Sequence, residues 1–399
     1  MCSTVYRNLA AIFTIGLCFF AEIGCRRPSG SAPAVSLPPA VVDRSVLSAG
    51  NLTRLHRVMA KARRGEPITL GFIGGSITRG ERATSPDHQY ADLVANWWQA
   101  QFPKSRITLV NAGVSGTNST YGCLRTRRDL LNQHPDFVVV EFAVNDRDDL
   151  PHAQSYEGVV RQILAEPNQP AVLLLFMMHH DGSNAQQMQS EIGRQYQLPM
   201  ISFRDALWPE ISAGRIRIEQ AIADSVHPND CGHAAIATFI DSLLQKTLDP
   251  LPTESALPPV ATGLPPARFT DLFARTKLIE AADLKPTICE GWHYDRATPS
   301  WTSQSPGSRI EFQITGQVID LIYDKLAGAF GTARVTVDDN PPIDCDAWLN
   351  GDWGPLPQVD PIFRGNSASP HHIKIELLEQ KNAQSTGHEF RIAGIGTAG

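Results

Sequence analysis

The stretch Ile68-Thr69-Leu70-Gly71-Phe72-Ile73-Gly74-Gly75-Ser76-Ile77-Thr78-Arg79-Gly80 decides how the chain is read. Its apolar start, Ile68–Ile73, lacks the alternation of a half-exposed strand, so it predicts a strand covered on both faces. The run stops at two glycines and a serine. A hydroxyl therefore stands at the carboxyl end of a buried strand, on a backbone that lets a ligand come close. Four further runs share that character: Ile107–Val110, Phe137–Phe142, Ala171–Met178 and Met200–Phe203. Between them Tyr90–Phe102, Tyr121–Gln133, Tyr156–Glu166 and Asn184–Gln197 carry helical periodicity with polar faces. Strands alternating with helices predict an α/β domain over 46–249, with a parallel sheet flanked by helices on both sides. In such sheets the working residues sit in loops after the strands.

Beyond this domain the composition changes. Pro250–Pro266 places six prolines in seventeen residues and reads as a linker over 250–267. The remainder, 268–399, shows short alternating runs at Arg309–Thr315, Val318–Tyr323, Ala333–Val337, His372–Leu378 and Glu389–Ile395. Runs of this length broken by Gly, Pro and Asp predict a β-sandwich of jelly-roll type.

Before the α/β domain, Arg7 precedes the apolar run Leu9–Ala21, thirteen residues and too short to span a bilayer comfortably. Residues 1–25 therefore read as a signal peptide and 26–45 as a polar tether. The run ends in Glu22-Ile23-Gly24-Cys25, which resembles a lipoprotein cleavage site with Cys25 as the lipidated, membrane-anchoring residue, although Glu22 stands where an apolar residue is usual. Cleavage after Ala34 is the alternative. Either way the chain is expected to be exported, to the periplasm, to the cell surface as a lipoprotein, or into the medium.

With 399 residues, 42% of them hydrophobic, the chain can bury a substantial core. Its 35 basic and 41 acidic residues give a net charge of −6, which argues against a nucleic-acid partner. Outside the leader lie Cys123, Cys231, Cys289 and Cys345. An exported chain can pair them as two disulfides in three ways; four buried thiols are the competing reading. No two are spaced as a CxxC metal or redox motif, so no metal site is expected.

Ser76 admits three chemical readings. A phosphate-cradling loop needs a Gly-Lys-Ser/Thr ending, and no lysine is present. A G-x-S-x-G elbow needs a glycine where Thr78 stands. The third is a serine nucleophile in another kind of loop, which requires a base and an oxyanion hole elsewhere. Asp224-Ser225-Val226-His227 supplies a base with a carboxylate to orient it. The oxyanion candidates are the backbone N–H of Gly113, in Asn111-Ala112-Gly113-Val114-Ser115-Gly116, and the amide of Asn145, in Ala143-Val144-Asn145-Asp146.

These four blocks, in this order over about 150 residues, resemble the SGNH (GDSL-type) hydrolases. The resemblance implies a flavodoxin-like fold and no metal or organic cofactor. It assigns Ser76 as nucleophile and oxyanion donor, Gly113 and Asn145 as the other donors, His227 as base and Asp224 as its orienting acid. The chain departs from the family pattern at Gly75, where an acidic residue commonly precedes the serine, and at Ala143, where glycine is usual. The GGSIT form followed by a β-rich domain resembles bacterial carbohydrate esterases, implying removal of O-acetyl groups from an acetylated plant polysaccharide or oligosaccharide such as xyloglucan or xylan. Two alternatives stay open: a lysophospholipase or long-chain acyl esterase, and a glycan acetyl-transferring or carbohydrate-binding protein.

Other residues carry weaker signals. Arg79 and Arg147 follow catalytic blocks and are substrate clamps or solvated arginines. His179 ends the fourth apolar run and can line the pocket, but neighbouring His180 points to the opposite face, which disfavours a shared metal. His371-His372 are expected on the surface. Gly394–Gly399 matches G-x-G-x-x-G without a helix to follow it. Four of the seven tryptophans, Trp292, Trp301, Trp348 and Trp353, fall in the C-terminal domain as sugar platforms or core residues.

Overall fold

The computed structural model describes residues 24–26, 34–249, 251–253, 256–260 and 263–399. The apolar leader and the side chain of Cys25 lie outside the described residues. Among the described residues no helix is long and apolar enough to cross a membrane.

Six strands form the first sheet: β1 (Val46–Ser48), β2 (Ile68–Gly74), β3 (Ile107–Gly113), β4 (Phe137–Glu141), β5 (Ala171–Phe176) and β6 (Met200–Ser202). Their order is β1-β6-β5-β4-β2-β3, parallel throughout except for the antiparallel edge strand β1. The doubly covered parallel sheet is as the sequence predicts. Every residue of β4 and β5 is buried, which explains their missing alternation. Successive side chains enter different cores. Phe137 and Val139 join the cluster of Phe72, Trp98 and Phe239, while Val138 and Val140 join Ile73, Phe142 and Tyr156 on the opposite face.

The second domain is one nine-stranded antiparallel sheet. Two long strands organise it, β7 (Arg309–Lys325) and β8 (Leu356–Leu377), paired along most of their length. The runs 309–315 and 318–323 thus belong to one strand, with a register shift between Gly316 and Val318. In its second half β7 is buried on both faces. Ile319, Leu321 and Tyr323 enter the β-domain core, while Val318 and Ile322 join the cluster that holds Leu124 and Tyr156 of the α/β domain. The two domains therefore share a core. Polar contacts lock the seam: the Glu157 carboxylate accepts from the N–H groups of Arg268, Phe269 and Thr270.

Three expectations need correction. The tether does not extend to residue 45: Pro39–Arg44 is a helix, Val41 is buried and Arg44 pairs with Glu210, because an apolar side chain and a carboxylate partner were available to dock it. The cysteines neither pair among themselves nor all lie buried. Cys123, Cys289 and Cys345 are free, with Cys289 exposed, and Cys231 is disulfide-bonded to none of these three. Finally, His371 is buried rather than on the surface, held by Asp338 and Ser369.

Candidate active site

The site gathers where β2, β3 and β4 end. Gly74 closes β2, and Ser76 opens the short helix Ser76–Arg79. As the first helical residue, Ser76 has an N–H without an intrahelical acceptor. Buried Arg125 fixes the spacing to the neighbouring strand, donating to the carbonyls of Gly74 (2.9 Å) and Ala112 (2.6 Å). Helix caps set the loops around it. Asn118 accepts from the N–H groups of Thr120 and Tyr121, and Asn229, two residues after His227, accepts from Gly232 N–H. Each such cap is worth about 1 kcal/mol.

Ser76, His227 and Asp224 form a continuous hydrogen-bonded chain. Ser76 Oγ lies 2.8 Å from His227 Nε2, and His227 Nδ1 lies 3.0 and 2.9 Å from the two Asp224 oxygens. Asp224 Oδ1 also accepts from the N–H groups of Val226 and His227. Burial works against its charge. The hydrogen bonds from these N–H groups, the imidazole and Arg82 outweigh it and hold the Asp224 carboxyl well below the usual carboxylate range. The carboxylate thus stays ionised and keeps the imidazole N–H pointed at itself, leaving Nε2 to face the serine.

Of the two residues expected to donate to an oxyanion, Asn145 lies beside Gly75 and Gly113 turns its N–H elsewhere. Asn145 packs so tightly on Gly75 that a Cβ there would run into Oδ1. Asn145 Oδ1 is buried without a donor, and no described residue accepts from Nδ2. Gly113, by contrast, donates its N–H to Asn111 Oδ1 at 3.0 Å. Gly116, in the same block, keeps its N–H available among the described residues. Its φ of +74° favours glycine, and the next carbonyl, Thr117 O, lies beside Gly75. The glycine ending the second block, rather than the first in it, carries the free N–H.

Behind Asn145 lie two buried carboxyls that the sequence reading missed. Glu141 accepts from Ala143 N–H at 3.1 Å, and burial pushes it up to about 8. Asp146 accepts from Ser119 N–H (2.8 Å) and Gln189 Nε2 (2.9 Å), and burial pushes it up to about 7. They shape the loop rather than face solvent. Asp146 had a signal, an acid directly after the strand-end asparagine; Glu141 had none beyond interrupting an apolar run.

The remaining candidates divide. Arg79 is exposed and donates to Ser115 Oγ at 3.3 Å, on the rim of the same loop. Arg147 is exposed and pairs with Asp149, away from the chain of three. His179 is half-buried and its side chain makes no hydrogen bond to a described residue, whereas His180 donates its backbone N–H to Ser225 O in the Asp224–His227 loop. Trp292 is a core residue, and Trp301 donates to Ala281 O. Trp353 is half exposed and its ring packs over Gly116, so the β-domain borders the site. Among the described residues no group of three or more His, Cys, Asp or Glu is arranged to hold a metal ion.

Comparison with known proteins gives a consistent picture. The family model of the GDSL-like lipase/acylhydrolases matches residues 72–235, a span containing Ser76, Asn145, Asp224 and His227. A solved two-domain esterase active on acetylated mannans is 31% identical, with a TM-score of 0.82, over 90% of this chain and 98% of that one. A structure described in the same words, co-crystallised with mannopentaose, gives a TM-score of 0.81. The acetylxylan esterase of Geobacillus stearothermophilus is 27% identical over 42% of this chain and 90% of its own length. Thioesterase 1/protease 1/lysophospholipase L1 of Escherichia coli (strain K12) is 25% identical over 49% of this chain and 92% of its own.

Proposed function

Given that the chain belongs to the SGNH (GDSL-like) lipase/acylhydrolase family, we propose that it is a carboxylic ester hydrolase removing O-acetyl groups from a plant polysaccharide or its oligosaccharides. The observation carrying this reading is the Ser76–His227–Asp224 chain, with Ser76 Oγ 2.8 Å from Nε2. Ser76 Oγ attacks the acetyl carbonyl while His227 Nε2 takes its proton, and Asp224 stabilises the imidazolium. The N–H groups of Ser76 and Gly116 and the amide of Asn145 receive the oxyanion. The imidazolium then protonates the departing sugar oxygen and leaves acetyl-Ser76. Water, deprotonated by His227, attacks that ester and releases acetate.

Similarity along nearly the whole chain to an esterase active on acetylated mannans supports a mannan backbone alongside the xyloglucan and xylan read from the sequence. Half-exposed Trp353 beside Gly116 suits a sugar ring stacked at the domain boundary. Export is part of the proposal, and the disulfide at Cys231 suits an oxidising compartment. Acetate release from acetylated mannan, xylan and xyloglucan, beside p-nitrophenyl esters of increasing acyl length, tests it. The expected result is polysaccharide deacetylation with a preference for acetyl esters. A preference for acyl chains of eight or more carbons would favour the lysophospholipase reading instead.

A further inference from the structure

Arg82 was singled out by no sequence pattern and takes no part in the proton transfers above, yet Arg82 Nε donates to Asp224 Oδ2 at 2.9 Å. Three features make this a built contact rather than a chance surface pair. First, Arg82 holds a left-handed backbone, φ +66°, that a non-glycine residue adopts at a cost and that persists only when its surroundings impose it. Second, the chain is anchored on both sides of it. Glu81 O lies 3.2 Å from His233 Nε2, and Thr84 donates its N–H and hydroxyl to the two Asp230 oxygens at 2.8 and 2.7 Å. Third, Asp230 and His233 begin the helix that directly follows the Asp224–His227 loop. One helix start therefore positions the carboxylate and also fixes the loop that brings the guanidinium to it.

Resting on the serine-esterase reading above, we propose that Arg82 is a positioning residue of the triad, locking the Asp224 carboxylate in line with His227 from the solvent side. Asp224 Oδ1 is fixed by two backbone N–H groups, whereas among the described residues Oδ2 has the imidazole and Arg82 as its partners. Without the guanidinium, water competes for Oδ2 and the carboxylate can turn away from the imidazole. The loss then falls on the chemical step, since Arg82 does not touch the acetyl group.

The test uses the full chain and p-nitrophenyl acetate, too small to reach beyond the reacting centre. Arg82→Gly is the informative deletion, because glycine tolerates φ +66° and the loop keeps its shape, whereas Arg82→Ala keeps the left-handed cost while losing the contact that helps hold it. The expected result is a kcat about 10-fold lower with KM nearly unchanged, partial recovery in Arg82→Lys, and recovery of Arg82→Gly by added guanidinium ion. Unchanged kcat in Arg82→Gly, or a rise in KM alone, would overturn the proposal and make Arg82 a bystander or a substrate contact. Ser76→Ala assayed in parallel separates the two levels. Activity surviving in Ser76→Ala contradicts the serine-esterase reading itself, whereas an inactive Ser76→Ala beside a fully active Arg82→Gly contradicts only the role of Arg82.

Discussion

Among the described residues there are two hydrogen-bonded Ser–His–Asp chains. In the α/β domain, Ser76 Oγ lies 2.8 Å from His227 Nε2, and Nδ1 lies 2.9 Å from Asp224. In the β-domain, Ser369 Oγ lies 2.9 Å from His371 Nε2, and Nδ1 lies 2.7 Å from Asp338. By connectivity and distance they are nearly equal. Their backbones are not. Ser76 turns from a strand into a helix whose first N–H has no intrahelical acceptor, with Asn145 and Thr117 O packed against the preceding Gly75. Ser369 lies inside strand β8 opposite Gly316, two residues from His371 on the same face, with the Phe363 ring against the imidazole at 3.9 Å between centroids. In the proposed mechanism the first arrangement offers donors to a developing oxyanion; the second spends its backbone on a sheet and its histidine on packing. A triad is therefore recognised by the donors around its serine as much as by its three members.

Variants at the two sites tell them apart. The largest effect is expected at the serines. Ser76→Ala should lower kcat for acetyl-ester hydrolysis by about 10⁴-fold or more. Ser369→Ala should stay within about two-fold of the parent, since no donor set surrounds it. Next comes the donor set, where Asn145→Ala should lower kcat by about 10²–10³-fold. A loss smaller than ten-fold in steady-state kinetics would remove Asn145 from the oxyanion role.

The carboxyls give a third contrast, read by stability. Asp224 and Asp338 have donors, but Asp320, on the face of β7 turned to the α/β domain, is fully buried with neither oxygen hydrogen-bonded. Burial pushes it up to about 7. Its folded-state value thus exceeds the unfolded one, so the native state binds the proton more tightly and loses stability as pH rises from about 4 towards 7. Asp320→Asn should remove that loss, gaining about 1–3 kcal/mol over the parent at pH 8 and little at pH 4 in denaturant titrations. An equal change at both pH values would contradict it. The smallest effect belongs to Trp353→Ala. It should raise KM for acetylated polysaccharide by about 2–10-fold, the worth of one aromatic contact, while p-nitrophenyl acetate turnover stays unchanged.

The same contrast explains what could be read in advance. Buried runs such as Phe137–Phe142 announce strands because both faces need apolar side chains, and the loops directly after two such strands carry Ser76 and Asn145. Edge strand Val46–Ser48 is too short to carry a pattern. Gly113 and Gly116 are indistinguishable as letters; only the hydrogen bond from Gly113 to Asn111 shows which N–H is spent. Arg82 reaches Asp224 across 142 positions through a left-handed residue, and no local rule reports that. His371 looked like a surface residue because its partner Asp338 lies on a different strand end, joined to it only by the sheet.

The central claim is that Ser76 is the nucleophile. Its most direct test is to mix the protein with p-nitrophenyl acetate, quench in acid during turnover and find the acetyl group by peptide mass spectrometry. One acetyl is expected on the Ser76 peptide, absent from Ser76→Ala and lost when turnover runs to completion. An unmodified Ser76 in an actively hydrolysing sample, or acetyl carried by Ser369 instead, would contradict it.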